Sequence, residues 1–88
     1  MAVSASDRAD YVARDRDVWT AFLERCPGFV RKQLWLPVDR PGVLVIQIWW
    51  VSRDAWKAVT AEQVAEIDAQ MGVLLRPVLC REYSVLES

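Results

Sequence analysis

The sequence predicts a single α+β domain in which helices cover one face of an antiparallel sheet. The strongest indication is the run Val43–Val51, which has no charge, glycine or proline and is rich in the β-branched and aromatic residues that suit a buried strand. A second is the capping box of Thr60 and Gln63 in front of a helical pattern. The third is the length, because 88 residues predict one domain over residues 1–88 with a modest core.

The first helix is predicted from Ser6 to about Arg25. Ser6 can cap its amino terminus, and Asp7 lies where a negative charge stabilises the helix dipole. Apolar residues that recur at helical spacing predict its buried stripe. They are Val12, Trp19, Phe22, Leu23 and Cys26, with Ala9 and Tyr11 at the margin. Asp15 and Arg16 interrupt this stripe with polar groups, and the other charged residues predict a solvated face.

A hairpin of two antiparallel strands is predicted after this helix. Phe29–Leu36 forms the first strand, Pro37 closes it, and residues 37–42 turn the chain back into Val43–Val51. Four residues share one face, which we expect to fill a dimer interface where the buried amides need partners. They are Gln33, Trp35, Gln47 and Trp49. The same four are the second candidate for a pocket.

Two more helices are predicted after the hairpin. Ser52 caps a short helix over residues 53–59 that points Trp56 inward. The next helix, Ala61–Met71, begins after the capping box. Gly72 ends it, because glycine adopts a left-handed backbone at low cost.

A last strand is predicted over Val78–Leu86. Pro77 precedes it, and a proline at that place is typical of a sheet edge. With Met1–Val3 counted as a first strand, the element order is βαββαβ, the plan of ferredoxin-like folds. That first strand is very short or missing.

Composition excludes several classes of function. The net charge is −1, so no basic excess neutralises phosphates and we expect no nucleic-acid partner. The chain contains no histidine, which removes His-dependent nucleophiles and the usual zinc ligands, and we expect no metal. Cys26 and Cys80 are too few for a disulfide framework, so reduced thiols are expected. The chain shows neither a secretion signal nor a long apolar run, and we expect a cytoplasmic protein with no membrane partner.

Five stretches of the chain together resemble a known family. They are Asp17–Thr20, Pro27–Phe29, Lys32–Trp35, Ile48–Val59 and Arg81–Tyr83. In this order and spacing they are similar to small uncharacterised bacterial proteins, best known from cyanobacteria. That family belongs to the dimeric α/β-barrel superfamily, which includes the antibiotic-biosynthesis monooxygenases. The resemblance covers residues 6–86 and implies a homodimer in which two sheets pack face to face, with helices outside and a pocket between sheet and helices in each subunit.

The first strand departs from that family, whose members have it in full. Here it is at most Met1–Ser4. The ferredoxin-like order places this strand in the centre, between the last strand and Val43–Val51, so its loss leaves backbone groups unpaired. Three arrangements remain open: the stub pairs briefly, the last strand moves over, or another chain fills the gap. A start codon assigned too late is a further explanation.

Two hypotheses for the function follow. In the first, implied by the resemblance, Trp19, Trp50 and Trp56 form a pocket for an aromatic or polyketide-like small molecule. Tyr83 or an acidic group would assist proton removal, and Arg81 or a Trp indole N–H would stabilise an enolate or phenolate. No bound cofactor would be needed, and the reaction would be that of an oxygenase, cyclase or isomerase. Core packing is the alternative for each Trp, and a strand or interface contact for the other two. In the second hypothesis the protein is a non-catalytic dimeric module whose sheet a partner chain completes.

Overall fold

In a computed structural model, which describes residues 1–87, helices cover one face of a small antiparallel sheet, and the predicted α+β class is confirmed. The sheet has two regular strands. The elements in chain order are α1 (Arg8–Asp15), a π-helical turn (Arg16–Thr20), α2 (Ala21–Glu24), β1 (Phe29–Trp35), β2 (Val45–Trp50), α3 (Arg53–Lys57), α4 (Ala61–Met71) and a 3-10 turn (Gly72–Leu74).

The predicted first helix forms as α1, the π turn and α2 in direct succession. Its buried face differs from the predicted stripe. Tyr11, expected at the margin, is 4% exposed, and Asp15, expected as a polar interruption, is 1% exposed. Leu23 is buried as predicted, whereas Val12 is only half-buried. The π turn explains part of the difference, because it adds a residue to one turn and rotates the side chains that follow.

The hairpin forms as predicted, with β1 and β2 antiparallel. Its register places Gln33 opposite Gln47, at the middle of the paired region. A shift in the register between Phe29 and Arg31 marks a bulge at the start of β1. The register therefore brings the four residues of the predicted interface face into two neighbouring rows.

The amino-terminal stub pairs briefly with the chain that leads into β2. Ala2 forms one antiparallel bridge with Val43. The Leu44 N–H donates to the Met1 carbonyl at 2.8 Å, and the amino group of Met1 donates to the Leu44 carbonyl at the same distance. Val3 is 1% exposed and belongs to the core. Of the arrangements open for the first strand, the structure contains the first.

The prediction of a last strand over Val78–Leu86 is wrong, since residues 75–87 form no strand. In the ferredoxin-like order this strand pairs with the first strand. Ala2 supplies a single bridge, and that bridge faces Val43. Within residues 1–87 no regular first strand lies beside the segment, which stays exposed.

The second half of the chain closes the core from the helix side. The capping box is confirmed, because Thr60 Oγ1 accepts from the Gln63 N–H at 3.1 Å and Gln63 Oε1 accepts from the Thr60 N–H at 2.9 Å. The helix α4 has the predicted bounds and buries Ile67 and Met71, while Val64 is 36% exposed.

Candidate functional site

The face of the sheet that points away from the helices is uncovered within the described part of the chain. Six side chains lie on it in three cross-strand pairs. They are Arg31 with Trp49, Gln33 with Gln47, and Trp35 with Val45. We call these six residues the open face. All four residues predicted for a dimer interface belong to it, so the structure brings them together.

Contacts within the open face hold its two indole rings. The Trp35 Nε1–H donates to Gln33 Oε1 at 2.9 Å. The Arg31 guanidinium carbon lies 4.1 Å from the centre of the Trp49 ring, a cation–π contact. The two ring centres are 6.4 Å apart. Because the rings are already restrained, covering them with a partner costs less conformational entropy than ordering two free side chains would.

The polar groups of the open face are suited to pairing. Gln33 uses its oxygen for Trp35 and keeps its NH₂ group for another acceptor. The Gln47 amide makes no hydrogen bond to any of residues 1–87, so both its donor and its acceptor are available. Arg31 is the one charged residue of the six, and it lies against a ring. The centres of protein interfaces are typically rich in Trp and Arg and poor in acidic residues, and the open face has this composition.

Beneath the sheet, Lys32 forms a buried ion pair that the sequence did not predict. Its Nζ lies 2.5 Å from Asp15 Oδ2, and the two side chains are 5% and 2% exposed. The same Nζ donates to Thr20 Oγ1 at 3.0 Å. Hydrogen bonds in a π turn join residues five apart, which brings Asp15 and Thr20 to one side of the helix. The irregular turn therefore builds the site that receives Lys32 from the strand.

One oxygen of this cluster remains without a partner. Asp15 Oδ1 is buried and accepts no hydrogen bond from residues 1–87. A buried carboxylate with an unused acceptor depends strongly on its single cation. The cluster thus fixes β1 against the first helix, and with it the position of the open face on the other side of the strand.

Tyr11 lies in the core close to this cluster. Burial raises the pKa of its phenol from 10.0 to about 12, the charges of Asp15 and Asp68 add to the rise, and Arg76 opposes it. At neutral pH the phenol is therefore protonated, and it is a poor base. The helical spacing of Tyr11 and Asp15 was the one signal in the sequence that pointed to a shared inward face.

The three Trp residues of the predicted substrate pocket each pack against a different neighbour. Trp19, in the π turn, contacts the core cluster. Trp50, at the end of β2, meets Phe29 edge to face at 5.9 Å between ring centres. Trp56, on α3, has the Lys57 Nζ 4.0 Å from its ring centre. These contacts are those of packing and surface stacking.

Among the depressions in the surface of residues 1–87, two are the best formed. The larger is lined by Asp10, Ala13, Arg14, Asp17, Val73 and Leu74. The smaller is lined by Cys26, Pro27, Ala55, Ala58, Val59 and Gln63. None of the three predicted pocket rings lines either depression, so a shared aromatic pocket stays a prediction.

The two predicted catalytic residues lie in the exposed carboxy-terminal segment. Arg81 is exposed, and Tyr83 is 75% exposed. Neither is enclosed by the core or by a described depression. A group that works as a general acid or base usually needs a tuned, sheltered setting. Their catalytic role therefore also stays a prediction.

Comparisons with known proteins add no relative. No family model, no curated protein and no solved structure matches the chain. The resemblance to the dimeric α/β-barrel superfamily consequently stays a prediction. Within residues 1–87, the helices are all too short or too polar to cross a membrane. The same part of the chain holds no group of three Cys, Asp or Glu side chains arranged to bind a metal ion.

Proposed function

We propose that the protein is a non-catalytic interaction module that forms a homodimer through the open face of its sheet. In this proposal each copy has a ferredoxin-like arrangement, and the two sheets pack against each other as in a dimeric α/β barrel. The antiparallel bridge between Ala2 and Val43, at the place of the first strand, supports the arrangement. The observation that carries the proposal is the open face itself, with its two restrained indole rings and its available amides.

A second copy is the partner that this chemistry favours. Around a two-fold axis each residue near the centre meets its own equivalent, so the central groups must be self-complementary. An amide satisfies this condition because it contains both a donor and an acceptor. Gln33 and Gln47 are opposite each other at the middle of the open face. The axis is therefore expected to pass near this pair.

The small core of the chain supports association. The buried hydrophobic residues within residues 1–87 are Val3, Tyr11, Leu23, Leu44, Ile67 and Met71. Fourteen large hydrophobic side chains are at least 36% exposed in the same part of the chain. A domain of this size buries only about 60–70% of its unfolded surface, and covering apolar surface against another copy adds to its stability.

A charge exchange at Gln47 tests the proposal. Gln47→Glu and Gln47→Lys each place two like charges beside the two-fold axis, where like charges cost several kcal/mol. We expect the dimer dissociation constant of either variant to rise by at least about 100-fold, since each factor of ten corresponds to about 1.4 kcal/mol. An equimolar mixture should restore the dimer, because the opposite charges then meet. Sedimentation equilibrium measures all three samples.

Gln70→Glu is the matched control, since it makes the same chemical change at an exposed position of α4. It should leave the dimer unchanged. The proposal is refuted if the wild-type protein is a monomer at all accessible concentrations. It is also refuted if both Gln47 variants dimerise as the wild type does.

A further inference from the structure

The strand β2 has an open edge on the side of the amino-terminal stub. Leu44 directs both its backbone groups toward Met1. In an antiparallel strand alternate residues point their N–H and C=O groups the same way, so those of Ile46, Ile48 and Trp50 point to the same side. Among residues 1–87, no backbone hydrogen bond outside the regular helices and the hairpin involves these three. The stub therefore covers the edge only at its start.

Side-chain exposure changes at the same place. Leu44, beside the stub, is 3% exposed. Ile48, four residues further along the same side of the strand, is 38% exposed, although its register partner Lys32 is buried under the helices. Because β2 is an edge strand of a two-stranded sheet, a residue on it has a neighbouring strand on one side only. Ile48 thus lacks the neighbouring strand that would cover it.

The carboxy-terminal segment, residues 75–87, has no neighbouring strand either. Apolar residues of this segment are strongly exposed. They are Val78 (63%), Leu79 (79%), Tyr83 (75%), Val85 (67%) and Leu86 (97%). The β-branched valines and the aromatic tyrosine among them favour a strand. Two ion pairs hold the segment, from Arg76 to Asp7 at 3.1 Å and from Glu82 to Arg53 at 2.8 Å.

These ion pairs set the direction of the segment. Asp7 lies near the start of β2, since the next residue, Arg8, donates to the Pro41 carbonyl. Arg53 follows the end of β2. The segment therefore runs in the direction of β2, and within one chain it could only join that strand in parallel. A two-fold axis perpendicular to the strands reverses the direction of the second copy, so its segment can approach antiparallel, which is the more stable pairing.

We propose that the carboxy-terminal segment of a second copy adds as an antiparallel strand to the open edge of β2, and that the exchange is reciprocal. This inference rests on the proposed function, because it needs two copies. Residues 77–87 reach about 36 Å when extended, long enough to cross to a neighbour. Arg81 and Glu82 balance each other, and the edge at Ile46–Trp50 is uncharged, so no charge opposes the contact. Strand addition and exchange of identical elements are common routes to association.

Amide hydrogen exchange in a mixed sample tests the strand exchange. A ¹⁵N-labelled full-length chain with Cys80→Pro and Arg81→Pro cannot supply a strand, because consecutive prolines remove a donor whichever face points to the edge. We expect its Ile46, Ile48 and Trp50 amides to exchange fast when it is alone. Adding unlabelled wild-type chain should slow them by about tenfold or more, since only the other copy can then cover them.

Two controls make the hydrogen-exchange experiment specific. The Gln47 and Trp49 amides face β1 and should stay protected in every sample. The conservative double variant Cys80→Ser with Arg81→Gln should show the slow exchange of the wild type when it is alone. Protection of the three edge amides in the proline variant alone would overturn the inference, and so would fast exchange after mixing. Sedimentation of the proline variant separates the two proposals, because the open face still forms a dimer if only the strand exchange fails.

Discussion

Removing one member of the buried ion pair should strongly destabilise this small domain. In Lys32→Met the carboxylate of Asp15 stays in place, 1% exposed as a residue, with one oxygen already without a partner. Breaking a buried pair from one side costs about 3–5 kcal/mol. A chain of this length has about 4–13 kcal/mol of total stability. With about 4–8 °C per kcal/mol, the melting temperature should fall by about 12–40 °C.

The double variant Lys32→Met with Asp15→Leu should recover most of that loss. Replacing both charges by apolar groups removes the two desolvation costs together, and such replacements are often neutral or stabilising. Urea unfolding followed by Trp fluorescence measures the free energy of each protein. All samples need one protein concentration, because association with a second copy also stabilises the folded state.

The exposed pair of Arg53 and Glu82 provides the control, with side chains 63% and 49% exposed. Arg53→Met should cost less than about 1 kcal/mol, as exposed ion pairs usually do. If Lys32→Met costs no more than this control, the pair is not sealed from water and the reasoning fails. If the double variant is as unstable as the single one, the packing of the long lysine chain matters more than its charge.

Two further predictions concern the backbone and the pH. Gly28 has φ of +83°, and a Cβ there would lie 2.5 Å from the Ala55 Cβ, so Gly28→Ala should lower the free energy of unfolding by about 2–4 kcal/mol. Gly42 is the control, because a Cβ there would meet nothing within 4 Å. In the same urea titration, Gly42→Ala should be neutral or stabilising. The second rests on the raised pKa of Tyr11: between pH 10 and about 12 the unfolded chain loses the phenol proton first, so the free energy of unfolding should fall by about 2–3 kcal/mol as the pH rises. Tyr11→Phe should lack this fall, and an equal fall in the variant would contradict the assignment.

Local signals made the second half of the helical layer predictable. Thr60, Gln63 and Gly72 determine where α4 begins and ends through contacts within a few residues of each other. Ser52 likewise caps α3 by accepting from the Ala55 N–H at 3.1 Å. The hairpin was predictable because its turn and its alternation are also local. The same alternation placed the residues of the open face on one side of the sheet.

The buried face of the first helix was less predictable, because it depends on a distant residue. The spacing of Asp15 and Thr20 in the sequence does not indicate that both contact the same side chain. That side chain is Lys32, which lies on another element. Tertiary contact between the strand and the π turn buries an aspartate that its polarity would place in water. The prediction of the last strand was wrong for a related reason. A strand forms only where a neighbouring strand offers backbone groups to pair with, and the local sequence does not show whether one does.

The short first strand gives the unusual features of this chain one physical origin. A full strand beside β2 would cover Ile48, pair the edge groups of Ile46 and Trp50, and offer its other edge to the last strand. The stub ends at Val3, so each of these groups is left open at once. Unpaired edges that are long and apolar promote association, and a protein that retains one needs a cover for it. A second copy can cover both the edge and the open face, so both contacts belong to one dimer. Sedimentation of the Gln47 variants tests the open face, and hydrogen exchange tests the edge of β2.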